Sequence, residues 1–255
     1  MSYAIYPSLN NKVVVITGGG TGIGAAMVEA FSAQGARVHF LDVADKPSLA
    51  LVEACRQTQY EPVYHRCDLR DIDALQRCFD AIAQAAGGVQ ILVNNAANDD
   101  RHDVGDVSAA YWDDRLAVNL RHQFFCAQAV VDGMRKQGAG AIVNLGSISW
   151  HLATPNLSVY MTAKAGIEGL TRGLARDLGE YGIRVNCVIP GAVRTPRQMK
   201  LWQSNESESE LLGQQCLHAR IEPEHVARMV LFLASDDAAR CTGRDYFVDA
   251  GWYGA

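Results

Sequence analysis

Short apolar runs alternate along the chain with longer stretches of helical period. Val13–Thr17, Arg37–Asp42, Val63–Cys67, Ile91–Asn94, Ala141–Leu145 and Arg184–Ile189 read as strands, and Tyr246–Val248 supplies a last one. Between them, an apolar-periodic stretch runs from a glycine cluster to about Ala33, where Gly35 stops it. Ile72–Ala86, Tyr111–Lys136, Tyr160–Tyr181 and Pro223–Ala234 repeat the helical pattern. Apolar strands that alternate with helices belong to parallel sheets covered on both faces. Right-handed crossovers then give a doubly wound α/β fold, with ligands expected at the carboxyl ends of the strands. No repeat, low-complexity linker or shift in composition marks a second unit, so residues 1–255 are expected to form one domain.

Arg194–Glu210 departs from this rhythm, mixing prolines, basic residues and an acidic serine-rich run without a clean period. It reads either as a solvated surface insertion or as a substrate lid spanning about residues 194–215, because it follows a strand end.

Composition narrows the class. The 255 residues are 49% hydrophobic and 20% charged, as suits a globular protein with a substantial core. A net charge of −5 without a basic block argues against nucleic-acid binding. No apolar run reaches the roughly 18 residues that a membrane span needs, and the N-terminus lacks the pattern of a signal peptide. Seven cysteines and seven histidines are dispersed without metal-ligand spacing, so no metal is expected, and reduced thiols in a cytoplasmic protein are.

The glycine cluster Thr17–Gly24 (TGGGTGIG) joins the first strand to the first helix. Gly18, Gly22 and Gly24, with Thr21 and Ile23 among them, allow the tight turn and close backbone approach that a dinucleotide pyrophosphate requires at a helix start. This is the Rossmann arrangement. Asp42 ends the second strand, where a carboxylate can accept from both adenosine ribose hydroxyls and repel a 2′-phosphate. NAD is therefore expected to be preferred, with NADP possible because Arg37 and Lys46 lie nearby. Asp68, with Leu69, follows the third strand and could accept from the adenine amino group. Asn95 and Ala96 follow the fourth, where small residues allow close packing against ribose.

Tyr160 and Lys164 stand at i, i+4 spacing, which puts both on one helix face. A neighbouring ammonium favours phenolate, so the pair suits a base whose ordinary pKa near 10 must fall. Ser147, at the end of the fifth strand, could converge on Tyr160 and hold a substrate oxygen. Asn119 could extend a proton path through its side chain and water.

TGGGTGIG, Asn94–Ala97, Asn119, Ser147, Tyr160–Lys164 and Pro190–Thr195 (PGAVRT) occur in the order and spacing of the short-chain dehydrogenase/reductase family, which the whole chain resembles. The resemblance implies a catalytic tetrad Asn119–Ser147–Tyr160–Lys164, with Lys164 also on the nicotinamide ribose. It further implies that Ile189–Thr195, including Pro190, Gly191, Val193 and Thr195, borders the nicotinamide, and that the enzyme is a homotetramer. Two positions depart from the family pattern. Ala97 and Ala250 replace usual glycines, and a slightly tighter fit with retained activity is expected at both.

Asn98–His102, Gly146–His151, Leu231–Asp237 and Asp249–Trp252 are similar to bacterial aldose 1-dehydrogenases acting on D-xylose or L-arabinose. This closer resemblance implies oxidation of a pentose at its anomeric carbon to an aldonolactone. Asn98, Asp99, Arg101, Ser149, His151, Arg197 and Gln198, with Ser147 and Tyr160, would then surround the sugar with hydrogen-bonding groups. Trp150 either packs beneath a sugar face or fills core. Two other readings stay open: a dehydrogenase or reductase of a keto-sugar acid or 3-oxoacyl thioester, and a non-catalytic dinucleotide-binding sensor.

Overall fold

A computed structural model describes residues 4–202 and 205–254. Seven parallel strands form one sheet: β1 (Val13–Thr17), β2 (Arg37–Asp42), β3 (Val63–Arg66), β4 (Ile91–Asn94), β5 (Gly140–Leu145), β6 (Ile183–Pro190) and β7 (Asp245–Val248). Their order is β3-β2-β1-β4-β5-β6-β7, so the chain reverses direction across the sheet between β1 and β4. The crevice beside that reversal is where doubly wound sheets bind ligands.

Helices cover both faces. α1 (Gly22–Ala33) and α9 (Pro223–Ala234) pack on one side with Val14, Ile16, Val93 and Val143. α3 (Ile72–Ala86) and α5 (His122–Gln137) pack on the other with Val13, Val15, Leu92 and Ile142. Neighbouring positions of β1 thus face opposite layers, and all five are buried. That is why this strand shows no polar alternation. α6 (Ser158–Leu178) completes the second layer.

The structure differs from the sequence pattern in four places. α2 (Asp45–Ala54) carries Pro47 in its first turn, where the missing N–H costs nothing but the periodicity is hidden. The stretch expected as one helix from Tyr111 to Lys136 divides into α4 (Ala109–Leu116), a π turn over Ala117–Arg121, and α5. The helix expected from Tyr160 to Tyr181 begins at Ser158 and ends in a 3-10 turn over Gly179–Tyr181. The irregular segment after β6 forms two short helices, α7 (Pro196–Trp202) and α8 (Asn205–Gly213). Residues 203 and 204 of that segment lie outside the described residues. Among the described residues no helix is long and apolar enough to cross a membrane.

Candidate active site

The carboxyl ends of the strands open into a cavity of about 830 Å³, within the size range of small-molecule sites. One half runs past the glycine turn. The Gly18 N–H donates to the Leu41 carbonyl at 2.7 Å, which folds the turn back over β2. A Cβ on Gly24 would sit 1.9 Å from the Gly18 carbonyl oxygen, so only glycine permits this closure. Thr21 stands at the start of α1 without capping it through its side chain, which leaves the first amides of the helix facing the cavity. An anion is favoured at such a helix start.

The remaining strand ends complete the slot. The Thr17 hydroxyl accepts from the Asn95 and Ala96 amides at 3.0 and 3.1 Å. The Asn95 amide group donates to the Thr17 and Gly18 carbonyls at 3.0 and 2.9 Å. Asn95 thus ties the β4 turn to the glycine turn as well as lining the cavity. Asp42 lines it too, with Oδ2 accepting from the Gly20 amide and Oδ1 from the Ala44 amide. Each carboxylate oxygen retains a further lone pair for a ribose hydroxyl. Asp68 borders the slot beside Leu69, but Arg70 grips both of its oxygens and holds the carboxyl below its ordinary range. Ile23, Ala96, Pro190, Gly191, Val193 and Thr195 line the same slot. A dinucleotide fits these residues: glycines where it must approach closely, free helix amides for its pyrophosphate, and a strand-end carboxylate for its ribose.

The other half holds the candidate chemistry. α6 presents Tyr160 and Lys164 to the cavity. Lys164 is 2% exposed, and its ammonium donates to the Leu145 carbonyl at 2.8 Å. It lies 5.4 Å from the centre of the Tyr160 ring. Burial lowers its pKa to about 8. Ser147 starts a 3-10 turn over Ile148–Trp150, and its hydroxyl lies 2.9 Å from that of Ser149. Ser147 also stands beside Tyr160 in the cavity, where its hydroxyl favours the ionised phenol.

Two expectations need correction here. Tyr160 was expected to have a lowered pKa, but burial first, and then the Asp99 carboxylate, push it up. Only the Ser147 hydroxyl acts the other way. Asn119 was expected to relay protons through its side chain, whose oxygen and amide nitrogen are instead both bonded to backbone. It accepts from the Asn98 amide at 2.7 Å and donates to the Asn98 and Arg115 carbonyls at 3.0 and 2.9 Å. Buried inside the π turn, Asn119 clamps the loop after β4 in place.

The candidate substrate wall assembles in part. Asn98, Asp99, Arg101, Ser149, Arg197 and Gln198 line the cavity with Ser147 and Tyr160. His151 does not. It turns behind the 3-10 turn, 2.9 Å from the buried Glu168, and Trp150 follows it there. A 3-10 turn rotates successive side chains by a third of a turn, so Ser149 faces the cleft while the next two residues face away. Leu152, Leu157, Leu211, Arg220 and Trp252 line the cavity without having been picked out as contacts. Leu211 belongs to the candidate lid at about 194–215, and Trp252 to the segment Asp249–Trp252.

A family model described as "Enoyl-(Acyl carrier protein) reductase" matches residues 18–253. The chain is 57% identical over 252 residues to "D-xylose 1-dehydrogenase" of Caulobacter vibrioides (strain NA1000 / CB15N), covering 99% of this chain and 100% of the relative. It belongs to the short-chain dehydrogenase/reductase family. A second relative of this dehydrogenase is "Probable galactose dehydrogenase GalD" of Rhizobium meliloti (strain 1021), 46% identical over 96% of each chain. Among solved structures, the ligand-free aldohexose dehydrogenase AldT of Thermoplasma acidophilum superimposes with a TM-score of 0.86 at 28% identity, covering 97% of this chain and 96% of that one. A short-chain type dehydrogenase/reductase from Mycobacterium ulcerans gives 0.91 at 25% identity, covering 99% and 91%. The family uses NAD(P).

Proposed function

We propose that this dehydrogenase oxidises a pentose aldose of the D-xylose or L-arabinose type at its anomeric carbon, releasing an aldonolactone, with NAD preferred over NADP. One observation carries the reading: the hydrogen-bonding side chains Asn98, Asp99, Arg101, Arg197 and Gln198 line one cavity with Ser147 and Tyr160. Relatives named for sugar oxidation support it. A hydroxylated substrate suits such a wall because unpaired buried polar groups are costly.

In this reading Ser147 orients the anomeric hydroxyl and Tyr160 takes its proton. Lys164 holds a positive charge beside the phenol and would hold the nicotinamide ribose, and Asn119 fixes the Asn98 loop beside the sugar site. A bound oxidised nicotinamide supplies the hydride acceptor and a further positive charge. General-base assistance of this kind contributes about 10²–10⁴-fold, and positioning supplies much of the rest. Asp42 underlies the NAD preference. α7 and α8 serve as the lid, with Asp99, Arg197 and Gln198 at its edge. A cytoplasmic homotetramer is part of the same reading, and the outward-facing Trp112 of α4 and Phe124 of α5 support subunit contacts there.

A second reading has one observation of its own. Leu152, Leu157, Leu211 and Trp252 give the cavity an apolar side that could take an acyl chain, as the description of the family model would suggest. A panel of aldoses, simple alcohols and, in the reverse direction, a 3-oxoacyl thioester and a keto-sugar acid, each with NAD(H) and NADP(H), separates the two. Pentose oxidation with lactone as first product is the expected result. Thioester reduction without aldose oxidation would discard the sugar.

A further inference from the structure

Behind the Ser147 turn, on the side away from the cleft, lies a carboxylate that the chemistry above does not use. Tyr160, Lys164 and Glu168 follow one another at i, i+4 and i+8 on α6, along one face of the helix. Glu168 is 6% exposed, and a carboxylate so buried is costly unless donors converge on it. Two do. Its Oε1 accepts from the Trp150 indole N–H at 2.6 Å and lies 2.9 Å from His151 Nε2. The His151 ring is enclosed in turn by Trp150, Tyr253 and Phe247, with ring centres 3.9, 4.6 and 5.0 Å away. Trp150 closes the 3-10 turn that Ser147 begins, and His151 follows it directly. One oxygen therefore fastens the turn bearing Ser147 to the helix bearing Tyr160.

We infer that Glu168 is a positioning residue: through Trp150 and His151 it fixes the Ser147 hydroxyl against Tyr160, and so governs how readily Tyr160 takes the substrate proton. The inference rests on the proposed role of Tyr160 as base. Small displacements matter in such a constellation, since a shift of about 1 Å can cost on the order of 10²-fold in rate. The direction of the effect follows from what surrounds the phenol. Burial and Asp99 oppose its ionisation, and the Ser147 hydroxyl favours it. Lys164 stands beside it on its own helix. Loosening Ser147 leaves the opposing influences in place, so proton removal should require a higher pH. Around Glu168 itself stand His151, Arg172 of α6 and Cys187 of β6, and Arg172 is paired with Asp245 of β7 at 2.7 Å.

The test compares Glu168→Gln and Glu168→Leu with the unmodified enzyme, measuring kcat, both KM values and the pH profile of kcat/KM. D-Xylose with NAD is the first substrate. If the unmodified enzyme does not turn it over, the pentose reading fails, and the comparison runs on whichever substrate of the panel is oxidised. Gln keeps an oxygen that can accept from Trp150 and His151, so Glu168→Gln should stay within about threefold of the parent with its acidic limb in place. Glu168→Leu should lose roughly tenfold or more in kcat, keep its KM for NAD, and show the acidic limb displaced to higher pH. Should Glu168→Leu not fold, Trp150→Phe removes one donor while keeping an aromatic ring, and should move the limb the same way by less. A folded Glu168→Leu or Trp150→Phe with the parent's kcat and limb overturns the inference. So does a Glu168→Gln profile displaced as far as that of Glu168→Leu, since the charge alone would then be acting.

Discussion

Asp99 and Arg197 meet across the mouth of the cavity: the Asp99 Oδ1 accepts from the Arg197 Nε at 2.9 Å, and its Oδ2 accepts from the Gln198 amide at 3.1 Å. The contact joins the loop after β4 to the start of α7. Arg197 also reaches Asn98 and Asp100, yet its side chain remains 46% exposed. Ion pairs this open to water are worth about 0–1 kcal/mol, so the closure is weak enough to open for substrate. Arg197→Ala should raise KM for the aldose by about two- to fivefold, consistent with loss of roughly one such contact. The KM for NAD and kcat should change by less than about twofold. Steady-state kinetics with each substrate varied in turn decides it, and an unchanged aldose KM would remove the lid edge from the site.

Asp99 has a second influence, on the phenol. Tyr160→Phe should fold and bind NAD but retain under about a tenth of the parent's kcat, because it removes only the group that takes the proton. Asp99→Asn should act oppositely on pH. The Asp99 charge raises the pKa of Tyr160, so removing it favours phenolate and should move the acidic limb of kcat/KM to lower pH. Movement to higher pH, or no movement, would mean that another group controls the limb. The same substitution should further depress Lys164, whose ammonium Asp99 supports.

Cofactor choice tests Asp42. Its carboxylate lies in the slot, held by the Gly20 and Ala44 amides at 2.8 and 2.9 Å. Asp42→Ala removes the charge that would repel a 2′-phosphate and the acceptor that would bind ribose. The ratio of kcat/KM for NAD to that for NADP should fall by about tenfold or more, the size of roughly 1.4 kcal/mol of discrimination. A parent enzyme that already prefers NADP would show that Asp42 does not set the choice.

What could be read from the sequence was whatever a local signal encodes. The strand–glycine–helix passage at Thr17–Gly24, the Tyr160–Lys164 spacing and Ser147 at the end of β5 all occupy the positions expected of them. Each depends on neighbours within one turn or at one strand end. His151 and Trp150 escaped because a 3-10 turn redirects adjacent side chains, and linear proximity to Ser149 carries no such information. The role of Asn119 was hidden by the π turn, which shifts backbone pairing without interrupting a helical apolar pattern. Leu211, Arg220 and Trp252 reach the cavity only once α8 and the C-terminal tail have folded over it. Glu168 carries no local signal, because burial by a distant tail leaves no mark on spacing.

Ala250 was expected to cost only a tighter fit than the glycine usual at its position. Its φ of +59° shows that the cost lies in the backbone. A residue with a Cβ pays roughly 1–2 kcal/mol to hold the left-handed conformation. Glycine escapes that strain but gives back about 0.5–1 kcal/mol through the greater freedom of its unfolded chain. Ala250→Gly should therefore stabilise the protein by about 0.5–1 kcal/mol, raising Tm by roughly 1–3 °C for a chain of this size. The next residue provides the opposite control. Gly251 has φ +72°, and a Cβ there would stand 2.8 Å from that of Cys216, so Gly251→Ala adds steric conflict to strain. Calorimetry on both variants should show Tm moving up for the first and down for the second. A lower Tm for Ala250→Gly would mean that side-chain packing at Ala250 outweighs the relief of its backbone.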